Sequence, residues 1–334
     1  RVDIAPDFRV GDENECRELR EMAMIRVLDE AYENADQNPD FRMFVDTQGF
    51  GRDDRLVPQI VEKVYDSARC HKDVDGWLNR CLENGDMSDL TDAGQTIWGS
   101  YLICHLKDYL SQQIESLGLC IEATNQVPEF AKVSSLLTDT VCQLERLRSC
   151  DTWDEIVSKK TIDFGRLIFP RKHDAPELAE QIKTVRKDCK EGLDKLLRAF
   201  ADPSEQISDD MEQVCQATRG IVSLVRQFAE TFDRIKRRRR ILDFGDLEHR
   251  TLDLLLGKSR TGPTRIAKEI GQRFREVLVD EYQDSNGVQD AIFSALTERR
   301  QNCFMVGDVK QSIYQFRLAD PTIFLKKYHE YVDA

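Results

Sequence analysis

Two short, uninterrupted apolar segments near the end of the chain each run directly into an acidic turn. Val277–Val279 precedes Asp280, and Cys303–Val306 precedes Gly307 and Asp308. The residues between the two segments include an apolar stripe at helical spacing: Val288, Ile292, Phe293 and Leu296. Continuous apolar runs of this kind are typical of strands that are buried on both faces of a parallel sheet. The pattern predicts a strand–helix–strand unit, and such units bind their ligands at the carboxyl ends of the strands.

A carboxylate pair, Asp280 and Glu281, follows the first of these strands, and Gln283 and Asp284 come next. Like charges at one strand end repel each other and are costly to bury, so a ligand of opposite charge would stabilise them. A hydrated divalent cation with a nucleoside triphosphate fits this requirement. We expect Asp280 to hold Mg²⁺ through its water shell, and Glu281 to orient and deprotonate an attacking water. An exposed, capped strand end without a ligand is the alternative that this segment by itself leaves open.

Helical periodicity dominates the first 235 residues, and no stretch there shows convincing strand alternation. The sequence DENE, from Asp12 to Glu15, has the pattern of a capping box. It precedes an apolar stripe at Leu19, Met22, Ile25, Leu28 and Tyr32. A second stripe comprises Leu56, Val57, Ile60, Val61, Val64, Tyr65 and Ala68. Further helices are predicted over about 92–117, 128–149, 176–200, 208–236 and 264–273.

Charge is distributed unevenly along the chain, whose formal net charge is −13. Residues 1–235 carry 30 Lys and Arg against 46 Asp and Glu, a net charge of −16, whereas residues 236–334 carry 18 against 15, a net charge of +3. A polyanion such as DNA should therefore prefer the C-terminal part. The basic run Lys236–Arg240 could contact phosphates, but a solvated helix face is the commoner role of such a run and the one that we favour.

Cysteine usage and hydropathy indicate the compartment. Ten cysteines are spread singly without a CxxC pair, and there are only five histidines, which argues against a zinc site and a disulfide framework. No apolar run approaches the roughly 18 residues of a membrane span, and the first residues lack the apolar core of a signal peptide. We expect a cytoplasmic protein with no membrane contact. The first residues also look like the interior of a longer chain.

Three segments resemble, in the same order, motifs of the UvrD/Rep-like superfamily 1 DNA helicases. They are LDFGDL (242–247), VDEYQD (279–284) and FMVGDVKQSIYQFRLADPTIF (304–324), of which the second resembles motif II and the third motif III. Within that group, VGDVKQSIYQFRLADPTIFLKKY is most similar to the AddA family, the large subunits of bacterial AddAB helicase–nucleases. The opening PDFRVGDENE also resembles that family. The resemblance is strong over about 236–328 and weaker, but consistent, before it.

The resemblance implies roles at the nucleotide site. Asp280 and Glu281 would be the metal-binding and catalytic carboxylates of motif II. Gln311 would sense the γ-phosphate, and Gln283 would link the nucleotide site to Gln311. Asp308 would belong to the same cofactor-binding site. The implied cofactors are ATP and Mg²⁺.

The resemblance also implies a DNA-binding segment within motif III. Tyr314 and Phe316 would stack on DNA bases, and aromatic faces accept any base, as a sequence-independent motor requires. Arg317 would tie this segment to neighbouring carboxylates or to the nucleotide site. Ordinary core aromatics are the alternative role for Tyr314 and Phe316. Gln315 departs from the family, which usually has Arg at this position.

No G-x4-GK[ST] motif occurs in the chain. The tripeptide Gly257-Lys258-Ser259 has the tail of that motif, but Leu252 stands where its first glycine is required, so Gly257 is better interpreted as a helix C-cap. LDFGDL could also be simply a helix start. In that case Asp243 would cap the helix and Leu242 and Phe244 would pack inward, with structural roles for Asp246 and His249.

These observations predict a predominantly α protein in two parts. Residues 1–235 would be a large helical accessory domain inserted in the motor domain. Residues 236–334 would be the C-terminal part of the first RecA-like (P-loop NTPase) α/β domain, with a short parallel sheet. The sequence would then be an excised piece of a longer enzyme and inactive on its own.

The resemblance implies an ATP-dependent DNA helicase/exonuclease subunit that translocates along single-stranded DNA and unwinds duplex DNA. It would act in double-strand-break repair by homologous recombination, together with an AddB-type partner subunit. Two alternatives stay open: a stand-alone UvrD-like helicase, and a non-catalytic, helicase-derived scaffold that binds DNA or a partner.

Overall fold

The computed structural model describes residues 7–48, 54–83, 90–172, 174–297, 302–312 and 318–332. The helices in these ranges are α1 Glu13–Glu33, α2 Pro39–Gln48, α3 Leu56–Arg69, α4 Val74–Glu83, α5 Ile97–Thr124, α6 Ala131–Arg148, α7 Trp153–Lys159, α8 Pro176–Leu197, α9 Ser204–Arg239, α10 Phe244–Leu256, α11 Arg265–Gly271, α12 Gly287–Thr297 and α13 Pro321–Val332. The strands are β1 Arg9–Val10, β2 Ile241–Leu242, β3 Val277–Val279 and β4 Cys303–Met305. The predicted predominance of helix is confirmed.

Contacts divide the chain into two compact units. The first comprises Arg1–Gly85 and Gln213–Ala334, and the second comprises Asp86–Glu212. The predicted boundary between residues 235 and 236 lies inside α9 and inside the first unit. The assignment of residues 1–235 to an accessory domain and of 236–334 to a motor domain stays a prediction.

Helix α3 forms much of the core of the first unit through one apolar face. Val57, Val61, Tyr65 and Ala68 are buried there, as the stripe over this segment predicts, whereas Leu56 is exposed. The Tyr65 ring meets the ring of Phe228 on α9 edge to face, with centroids 5.0 Å apart. Two apolar helix faces therefore pack against each other in this core.

Helix α1 begins as predicted, but its predicted apolar stripe is wrong. The Asp12 carboxylate accepts a hydrogen bond from the Glu15 backbone N–H at 2.9 Å and caps the helix. Met22 and Ile25 are more than half exposed. The buried residues of α1 are Leu19, Ala23, Met24, Val27 and Ala31. Apolar residues occur on two adjacent faces of this helix, and the face with the alanines allows the closer packing.

The second unit is built on α5, α6, α7 and α8. The predicted helices over 92–117, 128–149 and 176–200 correspond to α5, α6 and α8. Single 3₁₀ turns, Pro128–Phe130 and Arg198–Phe200, flank α6 and α8 and account for the longer predicted spans. Trp153 is buried in this core, where its indole N–H donates to the Asp202 carbonyl at 2.9 Å.

The predicted strand–helix–strand unit is confirmed. β3 and β4 are parallel, with Val277 opposite Cys303 and Val279 opposite Met305, and α12 connects them. The prediction that both faces of these strands are buried is wrong, because Leu278 is 70% exposed and Phe304 is 62% exposed. In this two-stranded sheet the described residues cover only one face.

A second parallel pair was not predicted. Arg9 of β1 pairs with Ile241 of β2, and Val10 pairs with Leu242. The expectation that no strand occurs in the first 235 residues is therefore wrong for β1. Two residues are too few to show alternation, and the partner strand lies far along the sequence.

Candidate active site

The carboxylate pair lies in a tight turn at the carboxyl end of β3. Glu281 has a left-handed backbone with φ of +50°, a conformation that costs a residue other than glycine about 1–3 kcal/mol. Its backbone N–H donates to the Asp280 carboxylate at 2.9 Å. The next residue, Tyr282, is buried, and its backbone N–H donates to the Val306 carbonyl at 2.8 Å. The turn thus joins the ends of both strands and leaves Asp280 and Glu281 exposed.

Gln283 connects this turn to the turn after β4. Its side chain is buried, with only 1% of the residue exposed. Its Nε2 donates to the Glu281 carboxylate at 2.6 Å, and its Oε1 accepts from the Asp308 backbone N–H at 3.0 Å. The structure therefore brings Glu281, Gln283 and Asp308 together at the carboxyl edge of the sheet.

Asp308 organises the turn that carries Gln311. One Asp308 carboxylate oxygen accepts from the Lys310 backbone N–H at 3.0 Å and caps the 3₁₀ turn Val309–Gln311. The other accepts from Gln311 Nε2 at 3.3 Å. Gln311 is exposed at the same edge as the carboxylate pair.

The donor set at this edge fits Mg²⁺ better than a metal that needs a closed protein cage. Asp280 and Glu281 offer exposed carboxylate oxygens, the ligand type that Mg²⁺ prefers while it keeps most of its waters. Within the described ranges, no group of three or more His, Cys, Asp or Glu side chains is arranged to hold a metal ion. A single hydrated ion on Asp280 agrees with both observations.

The predicted DNA-stacking residues Tyr314 and Phe316 lie outside the described residues, as does Arg317. Their roles stay predictions.

A separate groove of the first unit, of about 1190 Å³, runs between α1, α3 and the start of α10. Arg17, Arg20, Tyr65, Arg69 and Phe244 are among the residues that line it. The prediction that Phe244 packs inward is wrong, because this residue is 75% exposed. It is the first residue of α10, where its ring points away from the core, while the neighbouring Leu242 is buried.

A buried charge cluster underlies the groove. Lys236, only 1% exposed, donates to the carboxylates of Asp243 at 2.7 Å and Asp246 at 2.5 Å. Arg69 donates to Asp246 at 3.1 Å. Lys236 therefore does not belong to a solvated or phosphate-binding face, which corrects the interpretation of the basic run at this residue. Arg237–Arg240 are exposed, as expected.

Ionisation in this cluster follows from the pairing. Burial opposes the charged form of Lys236, but Tyr65 and the two carboxylates outweigh it and raise its pKa. Burial likewise opposes ionisation of Asp243, and the Lys236 ammonium outweighs it, so the pKa of Asp243 is lowered. The cluster is therefore fully charged at neutral pH.

The LDFGDL segment has the structural features of a helix start. Asp243 and Asp246 form a capping box, in which each carboxylate accepts from the other residue's backbone N–H, at 2.7 and 3.1 Å. His249 Nε2–H donates to the Arg69 carbonyl at 2.8 Å. Burial, and then the charge of Arg69, lowers the pKa of His249 to about 4. Gly257, with φ of +74°, caps the other end of α10, which confirms the C-cap interpretation.

No helix in the part of the chain that the structure describes is long and apolar enough to span a membrane.

Comparison with known proteins places this geometry in a family. The chain matches the UvrD/REP helicase N-terminal domain over residues 6–332. It is 32% identical to the AddA ATP-dependent helicase/nuclease subunit of Acetivibrio thermocellus, over 99% of this chain and 28% of that protein. The proteins of the same name from Bacillus licheniformis and Pelotomaculum thermopropionicum are 34% and 35% identical, over 99% and 98% of this chain and 28% and 27% of their own lengths. The chain thus spans about a quarter of the length of these relatives. Because the family match extends over nearly the whole chain, this chain belongs to the UvrD/REP helicase family through its N-terminal domain.

Proposed function

We propose that this chain is part of an ATP- and Mg²⁺-dependent DNA helicase that belongs to an AddAB-type helicase/exonuclease. In this proposal the full-length enzyme works in the cytoplasm with an AddB-type partner. It couples ATP hydrolysis to movement along single-stranded DNA and to duplex unwinding, in double-strand-break repair by homologous recombination. The observation that carries the proposal is the carboxylate pair at the end of β3, joined through Gln283 to the Asp308 turn at the end of β4.

The nucleotide site would use the carboxyl edge of the β3–β4 sheet, as the site of a RecA-like motor domain. Asp280 would hold the water shell of Mg²⁺, and Glu281 would orient an attacking water and accept its proton. Gln311, on the turn that Asp308 caps, would contact the γ-phosphate. Bound Mg²⁺ would neutralise the charge that develops on the phosphates.

Single-stranded DNA would contact two places. Tyr314 and Phe316 remain candidates by resemblance. Phe244 is a further candidate, because an exposed aromatic ring beside Arg17 and Arg20 offers both a stacking face and positive charge. The sequence signal for this residue was its place inside LDFGDL, directly after the helix cap.

Two other functions remain as alternatives. A stand-alone UvrD-like helicase would share the whole site, and only the helicase/nuclease name of the relatives favours the nuclease-linked form. A non-catalytic scaffold would have no need of an exposed carboxylate pair in a strained turn, so the geometry of Glu281 favours the motor.

The test is ATP hydrolysis by the full-length protein, measured with and without Mg²⁺ and single-stranded DNA. We expect hydrolysis that requires Mg²⁺ and increases when single-stranded DNA is added. DNA binding without any turnover would overturn the proposal in favour of the scaffold.

A further inference from the structure

A continuous chain of side-chain and backbone hydrogen bonds runs across the carboxyl edge of the sheet. It begins at the Glu281 carboxylate, passes through the Gln283 amide to the Asp308 backbone N–H, and continues from the Asp308 carboxylate to Gln311. It therefore connects the proposed general base with the proposed γ-phosphate contact through two intermediate residues.

The Gln283 amide has only one orientation that satisfies both neighbours. Its NH₂ end must face the Glu281 carboxylate and its oxygen must face the Asp308 N–H, because the reverse orientation would bring two acceptors together at one end and two donors at the other. The side chain is buried, so water does not compete for these positions. Gln283 is thus a polar and oriented link between the two turns.

Gly307 provides the space for this link. A Cβ atom at Gly307 would lie 2.5 Å from Gln283 Oε1 and 3.2 Å from the Gln283 backbone nitrogen, both too close for a real contact. A side chain at position 307 would therefore displace the Gln283 amide without changing any charge at the site.

We propose that Gln283, seated against Gly307, is a positioning residue that fixes the Glu281 carboxylate relative to the turn that carries Gln311. Contact of Gln311 with the γ-phosphate would thereby be coupled to alignment of the base, so that hydrolysis is favoured only when a triphosphate is bound. This inference rests on the proposed function, because it requires Glu281 to act as the base.

The first test is Gln283→Leu in the full-length enzyme. Misalignment of a catalytic group can cost up to about 100-fold in rate. We expect kcat for DNA-stimulated ATP hydrolysis to fall on the order of 10- to 100-fold, with KM for ATP changed by less than about threefold. Gln289→Leu is the matched control. Gln289 is also a partly buried glutamine that donates to a carboxylate, that of Glu248 at 3.0 Å, but it lies outside the chain of hydrogen bonds. Its removal should leave kcat unchanged.

A double-mutant cycle separates positioning from a structural role. If Gln283 acts through Glu281, Gln283→Leu should lower kcat in the wild-type enzyme and have almost no further effect in the Glu281→Gln variant. An equal loss in both backgrounds would overturn the inference while leaving Glu281 as the base. Wild-type turnover in Glu281→Gln would instead overturn the proposed function itself.

Gly307→Ala covers the case in which Gln283→Leu does not fold, which the melting temperature reports. This variant should reproduce the loss of kcat at unchanged KM, and its effect should also vanish in the Glu281→Gln background. Wild-type kcat in Gly307→Ala, with the protein folded, would contradict the inference.

Discussion

His249 illustrates how burial sets the chemistry of a single side chain. Its ring is held neutral between α10 and the end of α3 by a hydrogen bond to the Arg69 carbonyl. The folded-state pKa of about 4 lies below the ordinary value of 6.5. Between these two pH values the unfolded chain binds a proton at this ring that the folded protein does not. Folding stability must therefore decrease as the pH falls from about 6.5 toward 4.

His249→Gln removes this titration and keeps a donor for the carbonyl. Its free energy of unfolding should decrease less between pH 7 and pH 4.5 than that of the wild type, by about 1–2 kcal/mol. Chemical unfolding at the two pH values measures the difference. The exposed His329, changed to Gln, serves as the control and should keep the wild-type dependence. Identical pH dependence in the wild type and His249→Gln would contradict this account.

Phe244 is the residue whose exposure most directly indicates a binding role. Phe244→Ala should weaken the affinity of the full-length enzyme for single-stranded DNA by about 1–3 kcal/mol. Its effect on the free energy of unfolding should stay within about 0.5 kcal/mol, because the ring is mostly exposed. DNA titrations followed by fluorescence anisotropy measure the first effect. Tyr101→Ala, which removes an exposed ring from α5, is the control, and an equal change in DNA affinity for both variants would argue against a specific contact.

At the scale of elements, the C-terminal end of α9 and the first turn of α10 are held together by buried charge. Lys236 pairs with both carboxylates of the α10 capping box, and Arg69 of α3 pairs with one of them. Removing one partner from such a cluster leaves uncompensated buried charge, which costs more than the pair itself contributes.

Lys236→Met keeps the size of the side chain and removes its charge. We expect a loss of about 3–5 kcal/mol in the free energy of unfolding. Arg238→Met, an exposed change two residues later, should cost no more than about 0.5 kcal/mol. Denaturant unfolding compares the two variants. A loss below about 1 kcal/mol for Lys236→Met would show that the cluster contributes little to the fold.

How well the elements could be predicted from the sequence depended on how one-sided each pattern was. The α3 stripe is apolar on one face only, and its buried residues followed from spacing. In α1, apolar residues cover two neighbouring faces, so spacing alone selected Met22 and Ile25 instead of Ala23 and Met24. β1 has two residues and a partner more than two hundred positions away, so no local pattern could reveal it.

The site was predictable in outline but not in its connections. Two apolar runs that each end in an acidic turn imply neighbouring strand ends, and the structure brings those ends together. The Gln283 link depends on the left-handed backbone of Glu281 and on the space beside Gly307. Both are properties of the folded turns, and neither follows from residue types or spacing.

At the scale of the whole molecule, the chain has the carboxylate edge of a nucleotide site without the glycine-rich cradle. No G-x4-GK[ST] motif occurs in its 334 residues. These residues alone should therefore show no ATP turnover, because the lysine and backbone N–H groups that hold the phosphates are missing. A phosphate-release assay on the purified chain tests this, with Glu281→Gln as the control for contaminating activity. Turnover that disappears in the variant would contradict the prediction.

The central claim, that Asp280 and Glu281 are the metal and base positions of a motor, is tested most directly by two variants of the full-length enzyme. ATP affinity and DNA-stimulated hydrolysis are measured for Glu281→Gln and Asp280→Asn, with Glu276→Gln, an exposed carboxylate just before β3, as the control. Glu281→Gln should keep Mg²⁺-dependent ATP binding and lose about 10²- to 10⁴-fold in hydrolysis. Asp280→Asn should weaken both, and Glu276→Gln neither. Wild-type turnover in Glu281→Gln would contradict the account.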